Sequence, residues 1–231
     1  MESGIKTQAR RPSTPRSKPT VTAAPLKSVS SSRKSAGKRE AIVQAAIEII
    51  NNKSFPLATM TEIAAALDLR DAALYYYFPD KQALGYACHH SSLARFEDLL
   101  HAVDAEGGSG VHKLRQFIYR MLVDSDKNGA QLYFGDYSYL DAPQREAIKT
   151  WADRLTGILV RFLKEGMADG SVVQCEPEFV VQLLLGMLIW LAKWCRVVKG
   201  VTPDSVMEAI NAFCFQGLER RAQPSSRNAS K

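Results

Sequence analysis

Three consecutive tyrosines, Tyr75, Tyr76 and Tyr77, stand close to Arg70, Asp71 and Lys81 in the stretch TMTEIAAALDLRDAALYYYFPDK, residues 59–81. Phenols and an ammonium are groups that hold a DNA backbone, because they donate to phosphate and set register without reading sequence. Arg70 has the fork to pair bidentately with guanine, and the methyls of Ala72 and Ala73 suit the methyl of thymine. Successive tyrosines on a helix point ~100° apart. At least one phenol is therefore expected to reach phosphate while at least one packs inward.

Such chemistry needs two short helices and a tight turn to present it. Thr59 followed by Glu62 has the form of a capping box, T-x-x-E, that starts a helix. Ile63, Ala64 and Leu67 give that helix one apolar face. Asp68 follows as the turn residue, since Asp tolerates left-handed backbone angles better than most residues with a side chain. A second helix is expected from about Arg70 to Phe78, with Leu74 and Phe78 inward. Pro79 stops it, because the residue before a proline avoids helical angles. Asp80 and Lys81 open the next helix. The arrangement is a helix-turn-helix, whose second helix enters the major groove by its N-terminal end, here residues 70–73.

This segment resembles the DNA-binding module of the tetracycline-repressor (TetR) family of bacterial regulators. Members open with an amphipathic helix carrying early basic residues, here Lys38-Arg39-Glu40 before AIVQAAIEII, and end the motif near L-Y-x-H-F-x-x-K, here Leu74 to Lys81. The resemblance covers about residues 38–90. It implies backbone contacts from Thr59, Tyr75, Tyr77 and Lys81, and base-facing positions at Asp71, Ala72 and Ala73. Three positions depart from the pattern: Asp68 replaces the turn glycine, Arg70 a capping serine or threonine, and Tyr77 a histidine. A carboxylate at Asp71 is repelled by phosphate unless it meets a cytosine amine or pairs with Arg70, so the operator does not follow from relatives.

Charge is unevenly placed along the 231 residues. The net formal charge is +6, yet residues 1–37 alone hold eight Lys/Arg against Glu2. Residues 38–90 hold five basic and six acidic side chains. The segment 1–37, rich in Ser, Thr, Pro, Lys and Arg, cannot bury enough surface to offset its ordering entropy and is expected to be a disordered basic tail. It suits an arm that adds non-specific DNA affinity. It lacks the apolar stretch of a secretory signal.

Beyond residue 90 the pattern is helical to about 221, giving an all-α fold: a helix-turn-helix domain at 38–90, a helical domain at 91–221 and a disordered end at 222–231. The segment Phe179 to Val198 is apolar nearly all round. Gln182, Lys193 and Arg196 interrupt it, which favours a buried interface helix over a membrane span. A last helix is expected from Pro203 to about Arg220. Two such helices exceed what a small domain can bury, and in the TetR family the final two build a homodimer interface. A homodimer on a partly palindromic duplex operator is the expectation.

The resemblance also implies a small-molecule effector among the middle helices. Candidate lining is Phe117, Met121, Tyr133, Phe134, Tyr137, Trp151, Leu155, Leu184, Met187 and Trp190, each also a natural core residue. The segment 166–194 resembles members that sense acyl thioesters of coenzyme A, and an apolar ligand is the broader expectation. No catalytic residue, metal or cofactor is expected. Cys88, Cys175, Cys195 and Cys214 lack C-x-x-C spacing and read as reduced thiols of a cytoplasmic protein. The histidines lack an H-E-x-x-H frame, and phosphate-binding glycine loops are missing from the sequence. Two alternatives stay open: a ligand-independent, architectural DNA-binding protein, and a helical interaction protein with a degenerate helix-turn-helix.

Overall fold

The computed structural model describes residues 28–132, 136–195 and 198–216, without the side chains of 28–34 and 192–194. Among these residues it contains eight α-helices, one π-helical turn and no strand. Helices α1 (Ser28–Lys53), α2 (Met60–Ala65) and α3 (Asp71–Tyr77) form the first unit. Ile42, Ala46, Ile47 and Ile50 of α1 meet Ile63 and Ala64 of α2 and Leu74 of α3 in one buried core, closed by Phe78. The apolar faces read from the sequence in α2 and α3 are the buried ones.

α1 starts ten residues before Lys38, so the expected disorder through residue 37 is corrected for 28–37, whose backbone is helical. Extending an existing helix fixes one residue per added bond and avoids a new nucleus, and no proline interrupts the chain between Pro25 and Pro56. The rest of the basic tail, residues 1–27, and the C-terminal segment 222–231 lie outside the described residues.

α4 (Lys81–Glu106) belongs to both halves. Its Leu84, Ala87 and Cys88 complete the first core, while Leu93, Phe96, Leu100 and Val103 enter the second. The domain division expected near residue 90 falls inside this continuous helix, where core membership changes.

The second unit adds α5 (Gly110–Asn128), α6 (Ala142–Ala168), α7 (Pro177–Trp194) and α8 (Pro203–Ile210). Phe117, Ile118, Leu155, Leu159 and Phe162 fill its centre. A four-membered ion network binds α4, α5 and α6 together. Lys113 Nζ donates to Asp104 at 3.0 Å and to Glu165 at 2.8 Å, and Arg161 donates to the same two carboxylates. The Arg161 hydrogen bond, with help from Lys113, holds the Asp104 carboxyl below the usual range. The last helix starts at Pro203 as expected, and the end expected near Arg220 lies outside the described residues. α8 gives way at Asn211 to a π-helical turn reaching Phe215, and a π turn widens the helix through its longer hydrogen-bonded loop. Among the described residues no helix is long and apolar enough to cross a membrane.

Candidate nucleic-acid interface and effector cavity

Local chemistry builds the turn between α2 and α3. Thr59 caps α2 through its hydroxyl oxygen, which accepts from the Glu62 amide at 3.1 Å. The return half of the expected capping box is replaced: Glu62 accepts from Lys53 Nζ at 2.5 Å. Asp68 occupies the left-handed region with φ 53, as its place in the turn requires. Arg70 stands at the N-cap of α3 without a side-chain cap bond. A link invisible at sequence level joins the two helices, since Thr61 Oγ1 donates to Asp71 Oδ2 at 2.6 Å. Asp71 thus finds its partner in Thr61, a hydrogen bond that ties α3 to α2.

The tyrosines divide. Tyr76 is 81% exposed and Tyr75 is 49% exposed, whereas Tyr77 packs partly buried against the first core. Arg70, Asp71 and Ala72 are exposed, Ala73 is half-buried, and Thr59 lies exposed at the start of α2. Lys38 and Arg39 are exposed on α1, and the Arg39 guanidinium sits 4.7 Å from the Phe78 ring centre.

Lys81 is engaged within the fold. Its ammonium donates to the Ala58 carbonyl at 2.7 Å and the Pro56 carbonyl at 3.1 Å, and it lies 4.5 Å from the Phe55 ring centre. Phe55 stacks on Tyr139, whose hydroxyl lies 2.9 Å from His89 Nε2. Lys81, Gly85 and His89 share one face of α4 at i, i+4 and i+8. Gly85 leaves the space the stack fills, for a Cβ there would lie 2.7 Å from Phe55 and 2.8 Å from Tyr139. Burial pushes His89 down to about 4, so the imidazole is neutral and packs with its aromatic neighbours.

Lys81 therefore braces the loop between α1 and α2. Lys81→Ala is expected to cost about 1–2 kcal/mol in thermal or urea unfolding, because two carbonyls lose a charged donor. The slope of log DNA affinity against log salt should stay nearly unchanged. A slope reduced by about one per subunit would show that the ammonium leaves the loop for phosphate on binding.

Between α1 and the helices of the second unit lies a partly open cavity of ≈ 420 Å³, a size within the ~300–1,000 Å³ typical of small-molecule sites. Its apolar walls are Phe96 of α4, Met121 and Leu122 of α5, Leu185, Leu188 and Leu191 of α7, and Val206 of α8. Glu48 of α1, Ser125, Asp126, Gln131 and Thr202 add polar groups. Of the eight lining candidates that fall among the described residues, Met121 alone borders this cavity. Phe117 and Leu155 are solid core, and Trp151 Nε1 donates to Glu97 at 2.9 Å. Tyr137, Leu184 and Met187 pack against the core from outside, and Trp190 is 63% exposed. Tyr133 and Phe134 lie outside the described residues. Apolar periodicity marks which faces are covered, whereas a void depends on whether facing surfaces meet. The break at Asn128-Gly129 is the one sequence signal that points to this cavity, since residues 129–132 form one wall.

α7 has two apolar faces. Val181, Leu185, Leu188 and Leu191 are buried, while Phe179, Leu183 and Trp190 stand 71%, 75% and 63% exposed. Among the described residues no group of three His, Cys, Asp or Glu side chains is placed to hold a metal ion.

Comparison with known proteins agrees with this architecture. The family model described as bacterial regulatory proteins, tetR family, matches residues 42–87, and that described as tetracyclin repressor-like, C-terminal domain, matches residues 107–218. No curated protein matches the chain. Among solved structures, the TetR family transcriptional regulator PfmR from Thermus thermophilus is 23% identical, with a TM-score of 0.62 over 78% of this chain and 99% of that one. AibR in complex with isovaleryl coenzyme A and operator DNA is 19% identical, with a TM-score of 0.64 over 76% and 96%. The ketosteroid transcriptional regulator of Mycobacterium tuberculosis is 15% identical, with a TM-score of 0.66 over 76% and 91%. At these identities the solved structures speak for the fold, and the two family models, which between them span both units, speak for descent. The chain belongs to the TetR family of bacterial transcriptional regulators.

Proposed function

We propose that this regulator is a homodimeric repressor that leaves its operator when a small apolar effector fills the cavity. The observation that carries this reading is a cavity of ≈ 420 Å³ with mostly apolar walls, one of them contributed by α1 of the helix-turn-helix unit. A purely architectural DNA-binding protein has no use for such a void, which forfeits packing contacts. In this reading Tyr75, Tyr76, Thr59, Lys38 and Arg39 hold phosphates, while Arg70, Ala72 and Ala73 face bases. Tyr77 and Lys81 position the motif.

AibR was solved with isovaleryl coenzyme A. The described lining of this cavity includes Glu48 and Asp126 and no Lys or Arg. The lining is mostly apolar, with Leu185, Leu188, Leu191 and Val206 on two helices, which suits an apolar effector or the acyl part of a larger one.

Selection of sites from a random duplex pool, followed by affinity measurement, tests the function. The expected site has two half-sites ~34–36 Å apart along the duplex. N-phenyl-1-naphthylamine, a neutral apolar fluorophore, serves as the cavity probe. At saturation it is expected to weaken binding to that site about tenfold, within the usual range of allosteric coupling. Failure to select any site supports the interaction-protein alternative; a selected site whose affinity ignores a bound probe supports the architectural one.

A further inference from the structure

The connection leaving α5 is fastened to the first unit while it walls the cavity. Gly129, Ala130, Gln131 and Leu132 all border the cavity. Leu132 is 4% exposed and belongs to the core of the helix-turn-helix unit, away from the core of its own unit. On α1, Gln44 Nε2 donates to the Ala130 carbonyl at 3.4 Å, and Asn51 Nδ2 donates to the Gln131 carbonyl at 3.0 Å, a buried bond. Glu48 lies between them and reaches the cavity itself. Gln44, Glu48 and Asn51 are spaced i, i+4, i+7, so they form one polar stripe on a helix whose other face is the apolar core at Ile42, Ala46, Ile47 and Ile50.

The strap is anchored on α4 as well. Arg95 Nη2 donates to the Gly129 carbonyl at 2.9 Å, and Ser92 Oγ accepts from the Leu132 amide at 2.7 Å. Gly129 has φ +79, and a Cβ there would lie 2.2 Å from Gln44 Nε2. The strap lies directly against α1. Displacing these four residues would strain the bonds to Gln44, Asn51, Ser92 and Arg95 and the packing of Leu132.

We infer that the 129–132 strap and the Gln44–Glu48–Asn51 stripe form the mechanical link through which an occupant of the cavity is felt by the helix-turn-helix. The link rests on the cavity being the effector site proposed above. It identifies α1, beside the shared helix α4, as a receiver of the signal. Asn51 and Gln44 act as positioning residues that touch neither effector nor DNA.

Hydrogen exchange on the full chain, read by mass spectrometry with and without saturating N-phenyl-1-naphthylamine, tests the link. A fluorescence titration first establishes one probe per chain. In the wild type the amides of 129–132 and of α1 residues 44–51 are expected to change protection together, by roughly fivefold, the lower end of usual coupling strengths. In Asn51→Ala the strap should still respond while α1 falls silent, with probe affinity preserved. Gln44→Ala, at a half-buried position, gives the same reading should Asn51→Ala fail to fold. An α1 that stays unresponsive in the wild type, or responds equally in both variants, overturns the proposal. Failure of the probe to bind is a separate result, seen in the titration alone. It overturns the cavity reading and the link with it.

Discussion

Leu183→Asp is expected to turn the regulator into a monomer at micromolar concentration and to weaken operator binding by roughly a hundredfold or more, as two half-sites become one. The physical case rests on the outer face of α7. Phe179, Leu183, Gly186 and Trp190 fall at spacings of four, three and four residues, one stripe along a helix. Three of them are large apolar side chains more than 60% exposed, and a Cβ on Gly186 would meet nothing within 4 Å. Phe213, 56% exposed, extends the apolar surface into the π turn. Each such side chain contributes about 1.5–3 kcal/mol when buried, and a two-fold interface buries each of them twice. Leu183 lies centrally in the stripe. An aspartate there would place two unpaired carboxylates in an apolar contact, a penalty of several kcal/mol. The dissociation constant should rise by roughly 10³-fold. Sedimentation reads the change directly. Because Leu183 is outside the protomer core, probe binding and helical content should be unaltered. A Leu183→Asp protein that sediments as a dimer would remove α7 from the interface.

The outer stripe of α7 is legible in the sequence as an apolar excess, because hydrophobicity on all faces of one helix has few explanations. The same directness holds for the turn at Asp68, whose φ of 53 follows from a residue type that tolerates it, and for Leu74 and Phe78, which are buried as their spacing requires. What the sequence conceals are pairings between residues brought together only by the fold. Spacing alone returns Glu62 to Thr59, its neighbour in sequence. Lys53, at the end of the preceding helix, competes for it with a full charge and wins. Lys81 has the look of a free cation for phosphate until the loop carbonyls of Pro56 and Ala58 close on it. Asp71 has a donor in Thr61, ten residues earlier, that its sequence neighbours do not reveal. The cavity is the extreme case. Phe117 and Leu155 have the residue types of a pocket wall, but opposing side chains fill the space before them.

Gly110→Ala is expected to cost about 3 kcal/mol, although alanine is ordinarily the better helix former. A Cβ built on Gly110 would lie 2.2 Å from the Gly166 nitrogen, 2.3 Å from the Phe162 carbonyl oxygen and 2.4 Å from the Gly166 Cα. All three are backbone atoms of α6, so no side-chain rotation relieves the clash. α5 must move away as a body, and its first turn is pinned to the end of α6. The Gly110 amide donates to Asp169 Oδ2 at 2.8 Å and the Val111 amide to Ser171 Oγ at 3.2 Å. Lys113, one turn on, is held between Asp104 and Glu165 with its side chain 11% exposed. Displacement strains each of these bonds, and losing a buried charged donor is costlier than losing a neutral one. For a chain of this size the penalty corresponds to a fall in Tm of roughly 10 °C. Gly157→Ala, at an exposed position in α6 where a Cβ would meet nothing within 4 Å, should instead stabilise by about 0.5–1 kcal/mol through helix propensity. Thermal or urea unfolding of the two variants side by side separates contact from propensity. Equal and small effects at both glycines would show that α5 and α6 do not approach backbone to backbone. Opposite signs would show that one glycine is there for its missing side chain, and that the other is not.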